Sequence, residues 1–370
     1  MRPLELYIHI PFCIKKCNYC DFLSAPSTWE EREKYVESLC HRICGFADMA
    51  KAYRVTSIFV GGGTPSILEE EQINRIFAAV RATFSVEEDA EITIEMNPGT
   101  VTREKLKCYR AAGINRLSIG LQSVENKELK ALGRIHTFEE FLDTFQMARR
   151  EGFCNINVDL MSAIPYQTEE SWKHTLRTVA ELDPEHISAY SLIIEEGTPF
   201  YDWYKKGEEA GQRYQAELPD EDAERRMYYD TKKILESYGY CRYEISNYAK
   251  PGYECRHNLG YWERTEYLGI GSGAASLIDN HRWCEGEEPQ KLSVAEQMEE
   301  SMFLGLRKMQ GVSERRFCEI FQCDMREVYG PVIDAMTEEG LLETRDGFVK
   351  LTERGIDISN YVMSEFLLDG

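Results

Sequence analysis

Leu4-Glu-Leu-Tyr-Ile-His-Ile10-Pro-Phe-Cys13-Ile-Lys-Lys-Cys17-Asn-Tyr-Cys20 sets the reading of this chain: an apolar, β-prone run, a proline stop, and three cysteines within eight residues. The opening run is the first of six of its kind, at 4–10, 55–60, 91–96, 116–119, 155–161 and 186–191. Between them lie longer segments, 30–44, 69–83, 102–112, 137–151 and 169–182, with apolar residues at helical spacing. Strand and helix in strict alternation imply an α/β fold whose parallel strands are joined by right-handed crossovers. Six units fall short of a closed eight-fold barrel, which leaves a doubly wound sheet or a partial (β/α)6 barrel.

Punctuation supports the helices. Gly113 and Gly152 stand where two of them should stop, and Asp220 can cap another that runs to Tyr238 and closes at Gly239. Residues 242–248 read as a further strand, followed by a Lys250-Pro251-Gly252 turn, and the polar run 285–291 reads as a linker. Beyond it, helices at 294–309, 313–321 and 328–339 precede a hairpin over 341–351 that turns at Asp346-Gly347. The expected division is therefore a barrel with a strand and loop extension over 1–284, and a small winged-helix-like α+β domain over 292–370.

Composition narrows the function classes. Hydrophobic residues make up 43% and charged residues 29%, ordinary for a globular protein. A net charge of -21 repels a nucleic-acid backbone, so no nucleic-acid partner is expected. No apolar run reaches the length of a spanning helix, and the start lacks the apolar core of a signal peptide. A cytoplasmic protein with at most peripheral membrane contact is expected. Of the 12 cysteines, Cys40, Cys44, Cys108, Cys154, Cys241, Cys255, Cys284, Cys318 and Cys323 are scattered, as small buried hydrophobes would be.

Cys13, Cys17 and Cys20 are different, because a loop this short has no core in which to bury three thiols. Two chemistries answer to the spacing. One is zinc, with His9 or Asp21 as fourth ligand, although structural zinc usually draws on two ligand pairs and no second pair follows. The other is a cubane iron–sulfur cluster held by three thiolates, with one iron left open for a small molecule. In a parallel barrel such a molecule would lie at the carboxyl ends of the strands. Gly61–Gly63, Glu95, Gln122 and Asp159 fall at those ends.

The motif Tyr7-Ile-His-Ile-Pro-Phe-Cys13-x-x-x-Cys17-x-Tyr19-Cys20-Asp-Phe22 resembles the radical S-adenosylmethionine (SAM) proteins, in the branch of oxygen-independent coproporphyrinogen III dehydrogenases and their heme-chaperone relatives. The likeness continues through Gly61-Gly-Gly-Thr-Pro65, Glu95-Met-Asn-Pro98, Ser118-Ile-Gly-Leu-Gln-Ser123, Leu132-Gly-Arg-Ile-His136 and Asp159-Leu160. Later matches are Phe303-Leu-Gly-Leu-Arg307 and Leu351-Thr-x-x-Gly355. The resemblance implies a [4Fe–4S] cluster on Cys13, Cys17 and Cys20, SAM on its open iron, and an electron donor for the cluster. It also implies Gly62, Gly63, Thr64 and Glu95 at the SAM amino group, and Arg134 at its carboxylate. Gln122 and Asp159 would hold the ribose, Tyr7 and Tyr19 would flank the cluster, and Tyr190 would pack on the adenine.

Within the branch, two features favour the chaperones. Phe22 stands where the dehydrogenases carry a fourth cysteine, and only three residues precede Leu4 where those enzymes carry an extension. In addition, His257-Asn-Leu-Gly-Tyr-Trp262 is similar to the HNxxYW signature of the heme-binding relatives. That likeness implies heme as a third ligand, with His257 as iron ligand and Cys255 as a substitute. Tyr261 and Trp262 would cover the porphyrin, and the segment is expected in a loop on the barrel's rim. Heme-accepting respiratory proteins would be the partners. The alternative is the dehydrogenase itself, which converts two propionates to vinyl groups. One departure stands out: Ala163 precedes Ile164-Pro165, where the branch usually has glycine.

Overall fold

The computed structural model describes residues 1–206 and 216–368. Its frame is six parallel strands, β1 (Arg2–Ile10), β2 (Tyr53–Gly62), β3 (Val86–Met96), β4 (Arg116–Gln122), β5 (Ile156–Ser162) and β6 (His186–Ser191), paired in that order. Helices α1 (Trp29–Gly45), α2 (Glu70–Thr83), α3 (Arg103–Ala111), α4 (Phe138–Arg150) and α5 (Glu169–Glu181) connect them and cover the outside. The outward-facing strand residues, such as Ile58, Val60, Ile92, Ile94, Leu117 and Ile119, pack on those helices in one large apolar core. Each long helix begins where its sequence says it can: Thr28, Thr137 and Thr168 form reciprocal caps with the residue three positions on.

The sheet extends beyond these six strands. On the β6 side, residues 242–248 are not one strand; Cys241–Arg242 and Asn247–Ala249 form two short antiparallel strands. On the β1 side, Tyr267–Ile270 pairs parallel with β1, register Tyr7 with Gly269, and carries Ala275–Ile278, His281–Cys284 and Gln290–Lys291 outward. The expected linker at 285–291 thus includes the sheet's last edge strand. Glu285 also accepts from the backbone N–H of Gly271 and pairs with Arg42.

A second apolar cluster lies in the C-terminal region, built from Met302, Phe317, Met325, Tyr329, Ile333, Val349 and Phe366 among others. Its helices, Val294–Gly305, Glu314–Phe321 and Met325–Glu338, flank a three-stranded antiparallel sheet whose hairpin, Leu342–Arg345 with Phe348–Leu351, turns at Asp346-Gly347. Both turn residues have positive φ, 53° and 78°, which is the conformation a two-residue hairpin loop needs. Among the described residues, no helix is long and apolar enough to cross a membrane.

The scattered cysteines correct an expectation. Only Cys255 among the nine is buried; Cys44, Cys154, Cys241 and Cys318 are exposed and the others are part-buried. Sulfur's apolar character is a preference, and these positions fall on the outer faces of helices and strands or, for Cys154 and Cys323, in connecting loops, where it does not decide.

Candidate functional site

Side chains alternate across a strand, so one set of positions in β1–β6 points into the lumen. Apart from Phe59 and Met161 that set is largely polar: Glu5 and His9 from β1, Ser57 from β2, Glu91 and Glu95 from β3, Arg116 and Ser118 from β4, Asn157 and Asp159 from β5, His186 and Ser188 from β6. At the carboxyl end the lumen opens into a cavity of about 600 Å3. Cys13, Cys17 and Cys20 line it together with Tyr19, Gly62, Gly63, Thr64, Glu95, Gln122, Arg134, Asp159 and Tyr190. Of the residues expected at the cluster and SAM, Tyr7 is the one outside this lining; it faces an adjoining chamber, which Gly62 and Glu95 also border.

Several contacts tie the cysteine loop to the strand ends. Arg134 sends Nη1 to within 3.7 Å of Cys17 Sγ and Nη2 to Asn97 Oδ1 at 2.6 Å. Asn97 Nδ2 donates to Thr64 Oγ1 at 2.9 Å, and the Thr64 hydroxyl lies 3.5 Å from Cys13 Sγ. Asn97 was not singled out in the sequence, although it lies inside the Glu95-Met-Asn-Pro98 motif. At the end of β2, Gly62 has φ +114°, and a Cβ there would sit 2.5 Å from the His9 ring, so only glycine lets the chain pass. Its N–H donates to Glu95 Oε2 at 3.0 Å. Burial, and next the nearby Asp159, push the Glu95 carboxyl up to about 8, against the pull of that N–H. A cationic ligand beside Glu95 would restore its charge.

Gln122 and Ala163 sit at strained turns. Gln122 has φ +79° at a β-bulge between Gly120 and Gln122, which aims its amide at the Tyr190 hydroxyl, 3.1 Å away. Ala163 has φ +57°, a left-handed conformation that glycine holds without penalty. Asp159 accepts from Ser118 Oγ at 3.2 Å and Asn157 Nδ2 at 2.8 Å. Its pKa is raised by burial, which these bonds only partly offset.

The other motif lies elsewhere. Residues Arg256–Trp262 form a short helix across the floor of the lumen, not a loop on the rim. Glu91 fixes its start, accepting from the backbone N–H groups of Arg256 and His257 at 3.2 Å and from Cys255 Sγ at 3.4 Å. Gly260 lies against the Glu5 carboxyl so closely that a Cβ would overlap it. His257 is 1% exposed and stacks on Phe59, with Nδ1 2.8 Å from Ser57 Oγ and Nε2 3.2 Å from the Tyr261 hydroxyl. Burial pushes its pKa down to about 3 and that of the Cys255 thiol up to about 12. The expectation of an open imidazole with a thiol beside it is therefore corrected: both groups are inside the barrel and already bonded. Trp262 and Tyr261 also diverge. Trp262 faces the C-terminal region under the Arg307 guanidinium, whereas Tyr261 faces the chamber of Tyr7.

The donor set near the mouth fits a cluster better than a lone ion. Three thiols face one cavity with a guanidinium beside them to offset thiolate charge. Among the described residues, no three His, Cys, Asp or Glu side chains converge tightly enough for one metal ion. A cubane, with irons at alternate corners and one thiolate to each ligated iron, holds its thiolates wider apart. A (β/α)6 frame with three cysteines at its open end is the scaffold of the radical SAM proteins.

Comparison with known proteins agrees. The radical SAM superfamily is matched over residues 7–179 and the HemN C-terminal domain over residues 292–358. The chain is 35% identical to the heme chaperone HemW of Lactococcus lactis, over 100% of this chain and 98% of that protein. It is 42% identical to the Escherichia coli heme chaperone HemW, over 75% of this chain and 71% of that protein. The crystal structure of Escherichia coli coproporphyrinogen III oxidase (HemN) shares the fold, with a TM-score of 0.84 at 23% identity, covering 99% of this chain and 90% of that one. The chain belongs to the HemW family of radical SAM proteins. Membership of the superfamily implies a [4Fe–4S] cluster and SAM.

Proposed function

We propose that this protein is a cytoplasmic heme chaperone on a radical SAM scaffold, which takes up heme and passes it to respiratory proteins. The observation that carries the reading is the match, along essentially the whole chain, to proteins named heme chaperone HemW. Phe22 supports it, since it stands where the dehydrogenase branch would place a fourth cysteine. Cys13, Cys17 and Cys20 would hold the cluster, which in its reduced form supplies one electron to SAM. Gly62, Gly63, Thr64 and Glu95 would take an ammonium group, Arg134 a carboxylate, and Gln122 and Asp159 a pair of hydroxyls; all of them line the one cavity. Tyr19 and Tyr190 line the same cavity and would help keep water from reactive species. An electron donor would dock at the exposed cysteine loop, where Ile14, Lys15 and Lys16 face solvent.

The test is an anaerobic preparation carrying the cluster, offered hemin and, separately, coproporphyrinogen III with SAM and a reductant. Binding of about one heme per chain, with no decarboxylation, is the expected result. Sustained conversion of the propionates to vinyl groups would replace the chaperone with the dehydrogenase.

A further inference from the structure

The cavity does not end at the cysteine loop. Arg116, Asn157, Asn247 and Asn258 line it as well, and Asn258 belongs to the helix that floors the barrel. Arg116 begins β4 and Gln122 ends it, so the two lie about 20 Å apart along the strand at ~3.3 Å per residue. Arg134, expected at the SAM carboxylate, bonds to the Gly120 carbonyl near the upper end. The cavity therefore holds two guanidinium groups, one at its mouth and one rooted at its floor.

Arg116 is 2% exposed, yet nothing holds its charge. Its Nε has no hydrogen-bond partner, and no ion pair reaches the guanidinium among the described residues. The carboxylates that act on it, Glu91 and Asp159, do so only through space and spend their oxygens elsewhere. Glu91 accepts from the backbone N–H groups of Arg256 and His257 and from Cys255 Sγ, and Asp159 accepts from Ser118 and Asn157. His186 and His257 nearby are kept neutral, by burial first and then by Arg116 itself. A buried guanidinium cannot shed its proton and is costly to keep unless an anion meets it. A second orphan stands on the same wall. Asn247 Oδ1 is buried without a partner, while its Nδ2 donates to Glu244 Oε1 at 2.6 Å and so fixes the oxygen as the free end. Phe59 and Met161 add apolar surface to the lining.

We propose that the floor end of the cavity is a separate binding site for a short hydroxycarboxylate, with its carboxylate on Arg116 and its hydroxyl donating to Asn247, beneath SAM at the mouth. A planar, two-pronged donor matches the two oxygens of a carboxylate, and an amide oxygen whose nitrogen is already engaged needs a donor such as a hydroxyl. The inference rests on the radical SAM reading, under which SAM takes Arg134 and leaves Arg116 unclaimed.

The experiment uses the anaerobically reconstituted holoprotein, loaded with SAM and titrated with lactate in a calorimeter, with uncharged lactamide and inorganic phosphate as controls. Lactate should bind, and lactamide at least about 10-fold more weakly. Arg116→Gln should weaken lactate binding roughly 10- to 150-fold, with iron content and SAM affinity unchanged. Lactate should also raise the melting temperature of the wild type and not that of this variant. Asn258→Asp keeps Arg116 and adds a competing carboxylate to the same wall, so it should lower lactate affinity whether or not Arg116→Gln folds. Absence of lactate binding to the SAM-loaded wild type would overturn the inference and leave the radical SAM reading standing, as would phosphate binding in lactate's place or an affinity that neither variant lowers. Lactate that competes with SAM and is lost in Arg134→Ala would sit at the mouth, which also overturns the floor site. A holoprotein that takes up no SAM would overturn the reading beneath it.

Discussion

The cysteine loop at residues 13–20 and the segment 255–262 both offer metal-binding side chains, three thiols in one and Cys255 with His257 in the other, yet their surroundings differ. Ile14, Lys15 and Lys16 in the loop are exposed, and the loop's thiols face a cavity. His257 in the helix and Cys255 just before it are buried, with partners on strands β1, β2 and β3. Residue type and spacing say which atoms a segment offers. Whether those atoms are free depends on what the rest of the chain packs against them. Here Glu91 pins the helix start and Gly260 lets it lie against Glu5, so an imidazole that reads as a ligand becomes part of the barrel floor.

The sharpest way to break the contrast is at the loop. Cys17→Ser should abolish cluster absorption after anaerobic reconstitution, because two thiolates do not retain a cubane, whereas Cys108→Ser should leave it intact. A full iron complement in Cys17→Ser would contradict the three-thiolate site.

The floor predicts a pH effect of the next size. Burial, partly opposed by Ser57, pushes the Glu5 carboxyl up to about 9 from its ordinary 4.5. Between those values the unfolded chain has released a proton that the folded chain keeps, so this group's contribution to stability falls as pH rises. The slope is roughly 1.4 kcal/mol per pH unit, an order-of-magnitude figure. Glu5→Gln removes it. Unfolding measured at pH 6 and pH 8 should show the variant gaining on the wild type by about 2–3 kcal/mol at the higher pH. Parallel pH profiles would show that Glu5 is not held neutral.

Arg134→Ala should weaken SAM binding roughly 10- to 150-fold, or about 1.5–3 kcal/mol, without changing iron content. Calorimetry that found unchanged affinity would remove Arg134 from the site. The smallest effect is at the turn after β5, where Ala163→Gly should raise stability by about 0.5–1 kcal/mol by relieving the left-handed conformation. A fall in melting temperature would mean that the methyl group's packing outweighs the strain.

Much of the frame is legible in the sequence because β-branched runs and capped helices carry local signals. The run 155–161 lies within a residue of Ile156–Ser162, and 186–191 coincides with β6. The parallel strand Tyr267–Ile270 was missed. It is four residues long, contains Gly269, and is stabilised by β1, more than 250 residues away in sequence. At the site, the strand-end residues stand out because they interrupt apolar runs. The deeper lumen residues Arg116, Ser118, Asn157 and His186 do not, because polar alternation in a strand ordinarily signals a solvent-facing side. Here that side is the inside of a barrel. Their two-residue spacing, once the strands are taken to curl, is the signal that would have found them.

Amide hydrogen exchange across the two motifs tests the account most directly. In the native holoprotein, the amides of Asn258–Trp262 should exchange slowly, near the rate set by global unfolding, and those of the exposed Ile14–Lys16 stretch orders of magnitude faster. Exchange in the 258–262 segment as fast as in the loop would mean that the helix does not seal the barrel floor, and would restore an open His257.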